Sequence, residues 1–188
     1  MNSAEMTLYD ANGRRKYLVE SEFKAFLVAA ETLPPRERAY CHTLAHTGGR
    51  LAEIIALRKQ DIDLKAGSIV IKSLKKRGKT VYRSVPVPPS LITTLTLVFD
   101  LGRGKRGELL WDVDERTANR WIMKAMEAAD IKHTPRSLRH TFGVTAVVKG
   151  IPATIIQKWL GHADIKTTAI YMQAMGAEER GLAERMWK

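Results

Sequence analysis

The amino-acid sequence predicts an α+β domain that is mainly helical and carries a small antiparallel β-sheet. Apolar residues recur at helical spacing along most of the 188 residues. Residues 61–88 depart from that pattern with short runs rich in β-branched side chains. Glycine and proline stand between the segments, where helices are expected to end or begin. Because 45% of the residues are hydrophobic, the chain can bury the core of one full-sized domain.

The N-terminal part is predicted to be a tail followed by a helix. Residues 1–19 show no sustained apolar period, so we expect a tail or arm there. Ser21 can cap a helix that ends before Pro34. The apolar side chains of this helix at helical spacing are Phe23, Phe26, Leu27 and Ala30.

A glycine turn is predicted to separate the next two helices. The first should cover residues 36–46 and end at Thr47-Gly48-Gly49. A helical pattern restarts at Leu51, which places Arg50 at a helix start.

The β-rich stretch is expected to form a hairpin. Its strands should cover residues 68–71 and 80–85, joined by the basic turn Lys75-Lys76-Arg77-Gly78-Lys79. Taken alone, a lysine-rich turn is typical of a solvated loop tip or of a nonspecific phosphate contact.

The remainder of the chain is predicted to be helical. Gly150 and Gly161 stand where helix C-terminal glycines belong, and Pro152 suits the first turn of a helix. The predicted helices cover residues 90–99, 117–129, 136–149, 153–160, 166–173 and 178–186.

The composition narrows the range of functions. Lys and Arg number 31 against 20 Asp and Glu, a net charge of +11. That excess is expected of a nucleic-acid-binding protein, and a basic protein without a polyanionic partner is the alternative. Without a long apolar run or an apolar signal segment, we expect a cytoplasmic protein. Cys41 is the single cysteine and no Cys/His cluster has zinc-ligand spacing, so we expect no metal.

The predicted helix from residue 136 carries a cationic stripe. Arg136, Arg139, His140 and Gly143 share one of its faces. Residues 131–163 contain no Asp or Glu, so the neutralising anion must come from elsewhere in the fold or from a ligand. Guanidinium groups bind phosphate through paired hydrogen bonds, which makes phosphate a candidate.

Taken in order, these segments resemble the catalytic domain of the tyrosine recombinase or phage integrase family. Thr47-Gly48-Gly49-Arg50-Leu51-Ala52-Glu53 matches the family's first arginine segment, although a surface pair between Arg50 and Glu53 is the alternative explanation. The basic turn is similar to the family's lysine hairpin. The resemblance implies the same mainly helical α+β fold.

Two further motifs complete the resemblance. Arg136-Ser137-Leu138-Arg139 matches the H-x-x-R box, except that Arg136 stands in the position of the histidine. Leu160-Gly161-His162 matches the L-G-H motif, and His162 precedes Tyr171 at the family's usual separation.

The resemblance implies a DNA-cleaving and DNA-joining enzyme. Tyr171 would attack a phosphodiester, form a 3′-phosphotyrosyl bond and free a 5′-hydroxyl. Arg50 and Arg139 would bind the nonbridging oxygens, and His162 would donate a hydrogen bond to the phosphate. Lys75 would protonate the leaving oxygen, with Lys76 as the next candidate.

The remaining site residues follow from the same resemblance. Arginine stays protonated, so Arg136 would position phosphate or activate Tyr171 through its charge rather than as a base. Glu53 would contact Arg50 instead of the DNA and hold that arginine in position. The phosphotyrosyl bond retains the energy for rejoining, which implies no cofactor. The expected DNA contacts are Lys76, Arg77, Lys79, Arg83 and His140, and the alternative for His140 is a structural partner beside Arg139.

The resemblance also implies a domain organisation and partners. The catalytic domain should span residues 20–175, followed by a C-terminal helical tail at 176–188. We expect that tail to pack on a neighbouring subunit on double-stranded DNA, or else to fold on its own domain. Many members begin with a helical DNA-clamping domain, so either a compact domain works with accessory proteins or DNA bends, or the chain is part of a longer protein.

Three functions are consistent with the sequence. The first is a site-specific recombinase of the integrase, resolvase or invertase type, cytoplasmic and nucleoid-associated when bound to DNA. The second is a type IB topoisomerase-like activity. The third is a noncatalytic DNA-binding regulator derived from a recombinase, which Arg136 and the missing clamp favour.

Overall fold

Helices dominate the computed structural model, which describes residues 7–73, 80–174 and 186–187. Within these residues the chain forms eight α-helices and one three-stranded antiparallel sheet. The helices are α1 (Glu20–Glu31), α2 (Pro35–Thr47), α3 (Leu51–Ile55), α4 (Pro89–Phe99), α5 (Glu115–Ala128), α6 (Arg136–Val148), α7 (Ala153–Leu160) and α8 (Ile165–Ala169). The predicted fold class is confirmed.

The first helix begins two residues earlier than the capping argument predicted. Val19 is the N-cap of α1, and its backbone amide donates to the Glu22 carboxylate at 2.7 Å. Ser21 therefore lies within the first turn. The Glu22 carboxylate satisfies a backbone donor that has no partner inside the helix, as a capping side chain would.

The sheet has one more strand than the sequence indicated. Strands β2 (Ser68–Ser73) and β3 (Val81–Pro86) pair with Ile69 opposite Val85. The added strand β1 (Ile62–Asp63) pairs with the start of β2 and has only two residues, too few for a recognisable period. Residues 74–79, which include the predicted basic turn, lie outside the described residues.

The end of the chain also differs from the prediction. Instead of one helix over residues 166–173, α8 passes directly into a 3₁₀ turn at Ile170–Ala174. This turn carries Tyr171. The predicted helix at 178–186 falls almost wholly outside the described residues.

Two apolar clusters form the core. The larger cluster contains side chains from each of the first six helices and from the sheet. The smaller cluster contains side chains from α6, α7 and the 3₁₀ turn. Leu8 belongs to the smaller cluster and Leu18 to the larger one, with 1% and 2% of their surface exposed. The prediction of a tail is thus wrong for residues 7–19, which pack against the domain. Among the described helices, none is long and apolar enough to cross a membrane.

Candidate active site

The turn after α2 packs tightly against the later helices and fixes the position of Arg50. Gly48 has a φ of 59°, a conformation that side chains rarely adopt. A Cβ atom there would lie 2.8 Å from atoms of both Leu160 and Phe142. Glycine lets this turn approach α6 and α7 closely. Arg50 then stands at the N-cap of α3 with about half of its side chain exposed.

Glu53 is a buried carboxylate that holds two arginines. Its oxygens accept from Arg50 Nη1 at 2.9 Å and from Arg83 Nη2 at 2.6 Å, and the Arg50 backbone amide adds a third bond at 3.0 Å. Burial raises the pKa of Glu53, but the hydrogen bonds from Arg83 and Arg50 outweigh it and leave that pKa below its ordinary value. Glu53 is therefore ionised at neutral pH and orients Arg50.

Arg83 was predicted to contact DNA, and that prediction is wrong. Only 4% of its surface is exposed, because its guanidinium pairs with Glu53 and its Nε donates to the Trp159 carbonyl at 2.7 Å. These bonds tie β3 to α3 and to the end of α7. Arg83 thus positions the residues on either side of it.

Arg139 is clamped between two backbone carbonyls. Its Nη1 donates to Gly48 and its Nη2 to Leu160, each at 2.7 Å. Burial and the neighbouring Arg50 lower the pKa of Arg139 to about 10, which still leaves the guanidinium charged at neutral pH. Arg50 and Arg139 therefore present two positive charges to the same cavity.

His162 lies directly after the end of α7 and is held by Thr168. Its Nδ1 is 2.9 Å from the Thr168 hydroxyl, and its ring stacks on Tyr171 with centroids 6.2 Å apart. Burial, together with Arg139 and Arg50, lowers the pKa of His162 to about 3. The ring is neutral at pH 7, so one of its nitrogens carries a proton and the other accepts.

Tyr171 packs against Gly143 on α6, where a side chain would force the tyrosine ring to shift. A Cβ atom on Gly143 would lie 2.6 Å from the Tyr171 ring. The tyrosine is 1% exposed, and burial raises its pKa more than the charges of Arg139, Arg136 and Arg50 lower it. The hydroxyl is therefore protonated in this state and needs a proton acceptor before it can attack.

His140 stands beside that hydroxyl. Its Nδ1 lies 3.4 Å from Tyr171 Oη, and it is 7% exposed. Burial and the charges of Arg136, Arg139 and Lys16 lower its pKa to about 4, so the ring is neutral and can accept a proton. The sequence assigned His140 to DNA contact, whereas the structure places it next to the tyrosine.

These side chains line one cavity of about 410 Å³. Its cationic and proton-transferring members are Arg50, Arg136, Arg139, His140, His162 and Tyr171. Glu115 is the carboxylate on its wall. The cavity can accept a phosphodiester, because guanidinium groups and imidazole N–H groups bind its nonbridging oxygens.

Some predicted site residues cannot be placed. Lys75, Lys76, Arg77 and Lys79 lie outside the described residues, so their roles stay predictions. Conversely, sequence reasoning missed Thr168, which orients His162, and the backbone carbonyls that clamp Arg139. No spacing rule points to these partners, since they depend on how α6, α7 and α8 pack.

Comparison with known families agrees with this geometry. Residues 16–178 match the phage integrase family. Tyrosine recombinase XerA of Pyrococcus furiosus is 30% identical over 181 residues, which cover 90% of this chain and 61% of the relative. The chain therefore spans about three fifths of that relative's length.

A second relative matches over nearly its whole length. Type 1 fimbriae regulatory protein FimB of Escherichia coli K12 is 30% identical over 188 residues, covering 93% of this chain and 92% of FimB. Among solved structures, the crystal structure of XerA recombinase superposes with a TM-score of 0.76 at 29% identity, covering 90% of this chain and 64% of XerA.

Proposed function

The chain belongs to the phage integrase family, and on that premise we propose that it is a site-specific DNA recombinase that cleaves and rejoins strands through a 3′-phosphotyrosyl intermediate. The observation that carries the proposal is the convergence of Arg50, Arg139, His162 and Tyr171 on one cavity. These residues come from four separate stretches of the chain, and an arginine pair beside a tyrosine is suited to a phosphodiester.

The two arginines bind the nonbridging oxygens of the scissile phosphate. Glu53 orients Arg50, and the two carbonyls orient Arg139, so both are positioned before DNA arrives. Such preorganised donors stabilise the charge that builds on the phosphorus oxygens, each worth on the order of 10²–10³ in rate. His162 donates through Nε2 while its Nδ1 accepts from Thr168.

His140 is the proton acceptor for Tyr171. As Tyr171 Oη bonds to phosphorus, its proton passes to His140 Nδ1, and the bond from phosphorus to the 5′-oxygen breaks. Catalytic hydrogen bonds are often long before the substrate binds, which accounts for the 3.4 Å separation. The arriving phosphate is an anion, and its charge raises the pKa of the imidazole.

Arg136 and Lys75 complete the reaction. Arg136 stands where the family motif has histidine, and as a permanent cation it attracts the phosphate and favours the phenolate. Lys75 supplies the proton that the departing 5′-oxygen takes up. In rejoining, the 5′-hydroxyl attacks the phosphotyrosine and these transfers run in reverse.

A nicked suicide duplex drawn from the DNA that flanks the gene tests the proposal. When the short strand beyond the cleavage point diffuses away, the covalent complex persists and migrates as a protein–DNA adduct. We expect an adduct with the wild-type chain and none with Tyr171→Phe, which keeps the ring and its packing. Binding of this DNA without any adduct would favour the regulator instead.

A noncatalytic regulator is the second candidate. Arg136 in place of histidine favours it, and FimB, of which the chain covers 92%, is named a regulatory protein. If an adduct forms, recombination between paired sites separates a recombinase from a topoisomerase-like enzyme, which would relax supercoiled plasmid without paired sites.

The partners follow from the proposed reaction. We propose that the chain acts on double-stranded DNA as an oligomer joined through residues 176–188, in the nucleoid and with accessory DNA-binding proteins. Chain exchange or crosslinking on paired sites tests the assembly, and truncation after residue 175 should prevent it. A monomeric complex on paired sites would contradict it.

A further inference from the structure

The N-terminal segment forms a hairpin that is fixed to α6. Tyr9 and Arg15 form an antiparallel bridge, and the Lys16 amide donates to the Leu8 carbonyl at 2.8 Å. The Leu18 amide donates to the Thr141 hydroxyl at 2.8 Å, which fastens the hairpin to α6. The polar side of this hairpin therefore has a defined position near the active site.

A second cavity, of about 480 Å³, lies between this hairpin and the start of α6. We call it the hairpin cavity. Five cationic side chains line it, namely Arg14, Arg15, Lys16, Lys132 and Arg136. Its one carboxylate, that of Asp10, accepts from the backbone amides of Asn12 and Arg14 at 2.8 Å each. The cavity therefore has a large excess of positive charge.

Only part of that charge is neutralised within the protein. Arg15 lies 3.6 Å from Glu22. The pKa of Asp10 is lowered mainly by its backbone hydrogen bonds, and the charge of nearby Arg14 lowers it further. Lys132 and Arg136 form no ion pair with any of the described residues. Both side chains are exposed, so an anion from outside can reach them.

The hairpin cavity adjoins the active-site cavity. Arg136 and His140 line both. A DNA strand that places one phosphate between Arg50 and Arg139 would thus carry its next phosphates past Arg136. Successive phosphates along one strand are the anions that such neighbouring cationic cavities can hold together.

We propose that the hairpin cavity binds a backbone phosphate of the cleaved strand, beside the phosphate that Tyr171 attacks. Arg14 and Lys132 provide the contacts that this site adds, and Arg136 is shared between the two phosphates. The inference rests on the proposed DNA cleavage. It gives the N-terminal hairpin a role in holding DNA close to the tyrosine.

Salt dependence of binding tests the contact. Arg14→Gln and Lys132→Gln should each weaken binding to a random-sequence duplex and reduce the slope of log affinity against log salt by about one. Arg103→Gln is the matched control, since Arg103 is 88% exposed and lines neither cavity. Slopes equal to that of the wild type for both hairpin-cavity variants would overturn the proposal.

A neutral phosphate locates the contact on the strand. Methylphosphonate linkages are placed one at a time around the cleavage point that the suicide duplex defines. One linkage close to that point should weaken wild-type binding and have little further effect on the Arg14→Gln variant. If every linkage weakens both proteins equally, Arg14 touches no phosphate there and the site is not the one proposed.

Two further results keep the explanations apart. An adduct at Tyr171 with unchanged salt slopes would leave the cleavage reaction standing and remove the phosphate site. Reduced slopes without any adduct would keep a phosphate contact at the hairpin cavity but refute the cleavage, and with it the placement of that contact beside a cleaved phosphate. Inorganic phosphate is also titrated. If it binds and the Arg14→Gln and Lys132→Gln variants lose it while their salt slopes match the wild type, the cavity is a free-anion site and the DNA contact is refuted.

Discussion

Two histidines lie beside Tyr171, His140 at its hydroxyl and His162 stacked on its ring, and burial together with the surrounding charges keeps both neutral. His140 faces Arg136 and Arg139 on its own helix and Lys16 on the N-terminal hairpin, while His162 faces Arg139, Arg50 and Arg83. A neutral imidazole can either accept or donate a proton, whereas an imidazolium ion can only donate one. Burial thus holds both rings neutral, and the neighbouring cations add to that effect.

His140→Gln should slow strand cleavage while DNA binding persists. Glutamine keeps a polar side chain of similar reach but cannot take the proton from Tyr171, so we expect a loss of about 10²–10⁴ in the rate of adduct formation at saturating suicide duplex. His42→Gln, on α2, is the control and should cleave at the wild-type rate. Wild-type cleavage by the His140→Gln variant would remove His140 from the mechanism.

The pH profile gives a second test of the same residues. Cleavage at subsaturating DNA should stay level as pH falls through about 6.5, the ordinary histidine pKa, because His140 titrates only near 4. Below that, protonated His140 can no longer accept and the rate should fall. A wild-type midpoint near 6.5 that is absent from His140→Gln would show that His140 is not held neutral.

At the scale of elements, helix α6 supplies both charge and space to the tyrosine. It presents Arg136, Arg139 and His140 on one face, and Gly143 further along gives the Tyr171 ring room. The 3₁₀ turn that carries Tyr171 packs directly on this helix. The position of the proposed nucleophile therefore depends in part on this helix–turn contact.

Gly143→Ala should displace Tyr171. The added Cβ would lie 2.6 Å from the ring, so the turn must shift, at a cost of about 1–3 kcal/mol in the free energy of unfolding. We also expect slower adduct formation. Gly102→Ala is the control, because a Cβ there meets no atom within 4 Å. Equal cleavage and unfolding free energies for Gly143→Ala and the wild type would contradict the packing.

Arg83→Met should reduce stability rather than DNA affinity. It removes a partner from the buried Glu53 carboxylate, which typically costs about 3–5 kcal/mol, here lessened because Arg50 still pairs with Glu53. Urea unfolding measures the loss, and anisotropy at low temperature measures the salt slope of DNA binding. A reduced slope with normal stability would restore Arg83 as a DNA contact.

The sequence predicts the elements that depend on neighbouring residues better than those that depend on contacts between distant parts of the chain. The glycine turn before Arg50, the hairpin strands and α6 follow from local patterns, and the structure has them. The strand β1 is too short to show a pattern. The N-terminal hairpin was missed because Leu8 and Leu18 are buried by residues far along the chain, such as those of α6.

The candidate site shows the same division. The ordered motifs identified Arg50, Arg139, His162 and Tyr171, which the structure brings together. Spacing could not show that His140 reaches Tyr171, because that contact depends on the packing of α6 against the 3₁₀ turn. Nor could it show that Arg83 faces Glu53, since alternation along β3 does not reveal what lies against its buried face.

At the scale of the whole molecule, the active site lies where the two apolar clusters meet. Leu138 and Ile54 belong to the larger cluster, Leu160 and Tyr171 to the smaller one, and Phe142 packs against both. The side chains that we propose as catalytic thus lie between the two halves of the core. Unfolding of either half should separate them.

Partly buried neutral histidines such as His46 should make the whole domain less stable in mild acid. Burial and the neighbouring His42 lower the pKa of His46 to about 4, so below about pH 6.5 the unfolded chain binds more protons than the folded one. The free energy of unfolding should therefore fall as pH drops from 6.5 towards 4. For His46→Gln the fall, measured by urea unfolding, should be smaller, and an equal fall would contradict the assignment.

Identifying the residue and strand end in the trapped complex tests the central claim most directly. The adduct is formed in EDTA, digested with protease and sequenced by mass spectrometry, while end-labelled DNA reports which strand end is joined. We expect the nucleotide on the peptide that contains Tyr171, linked through a 3′-phosphate, with a free 5′-hydroxyl on the other fragment. Attachment at another residue, a 5′ linkage or an adduct that survives in Tyr171→Phe would contradict the account.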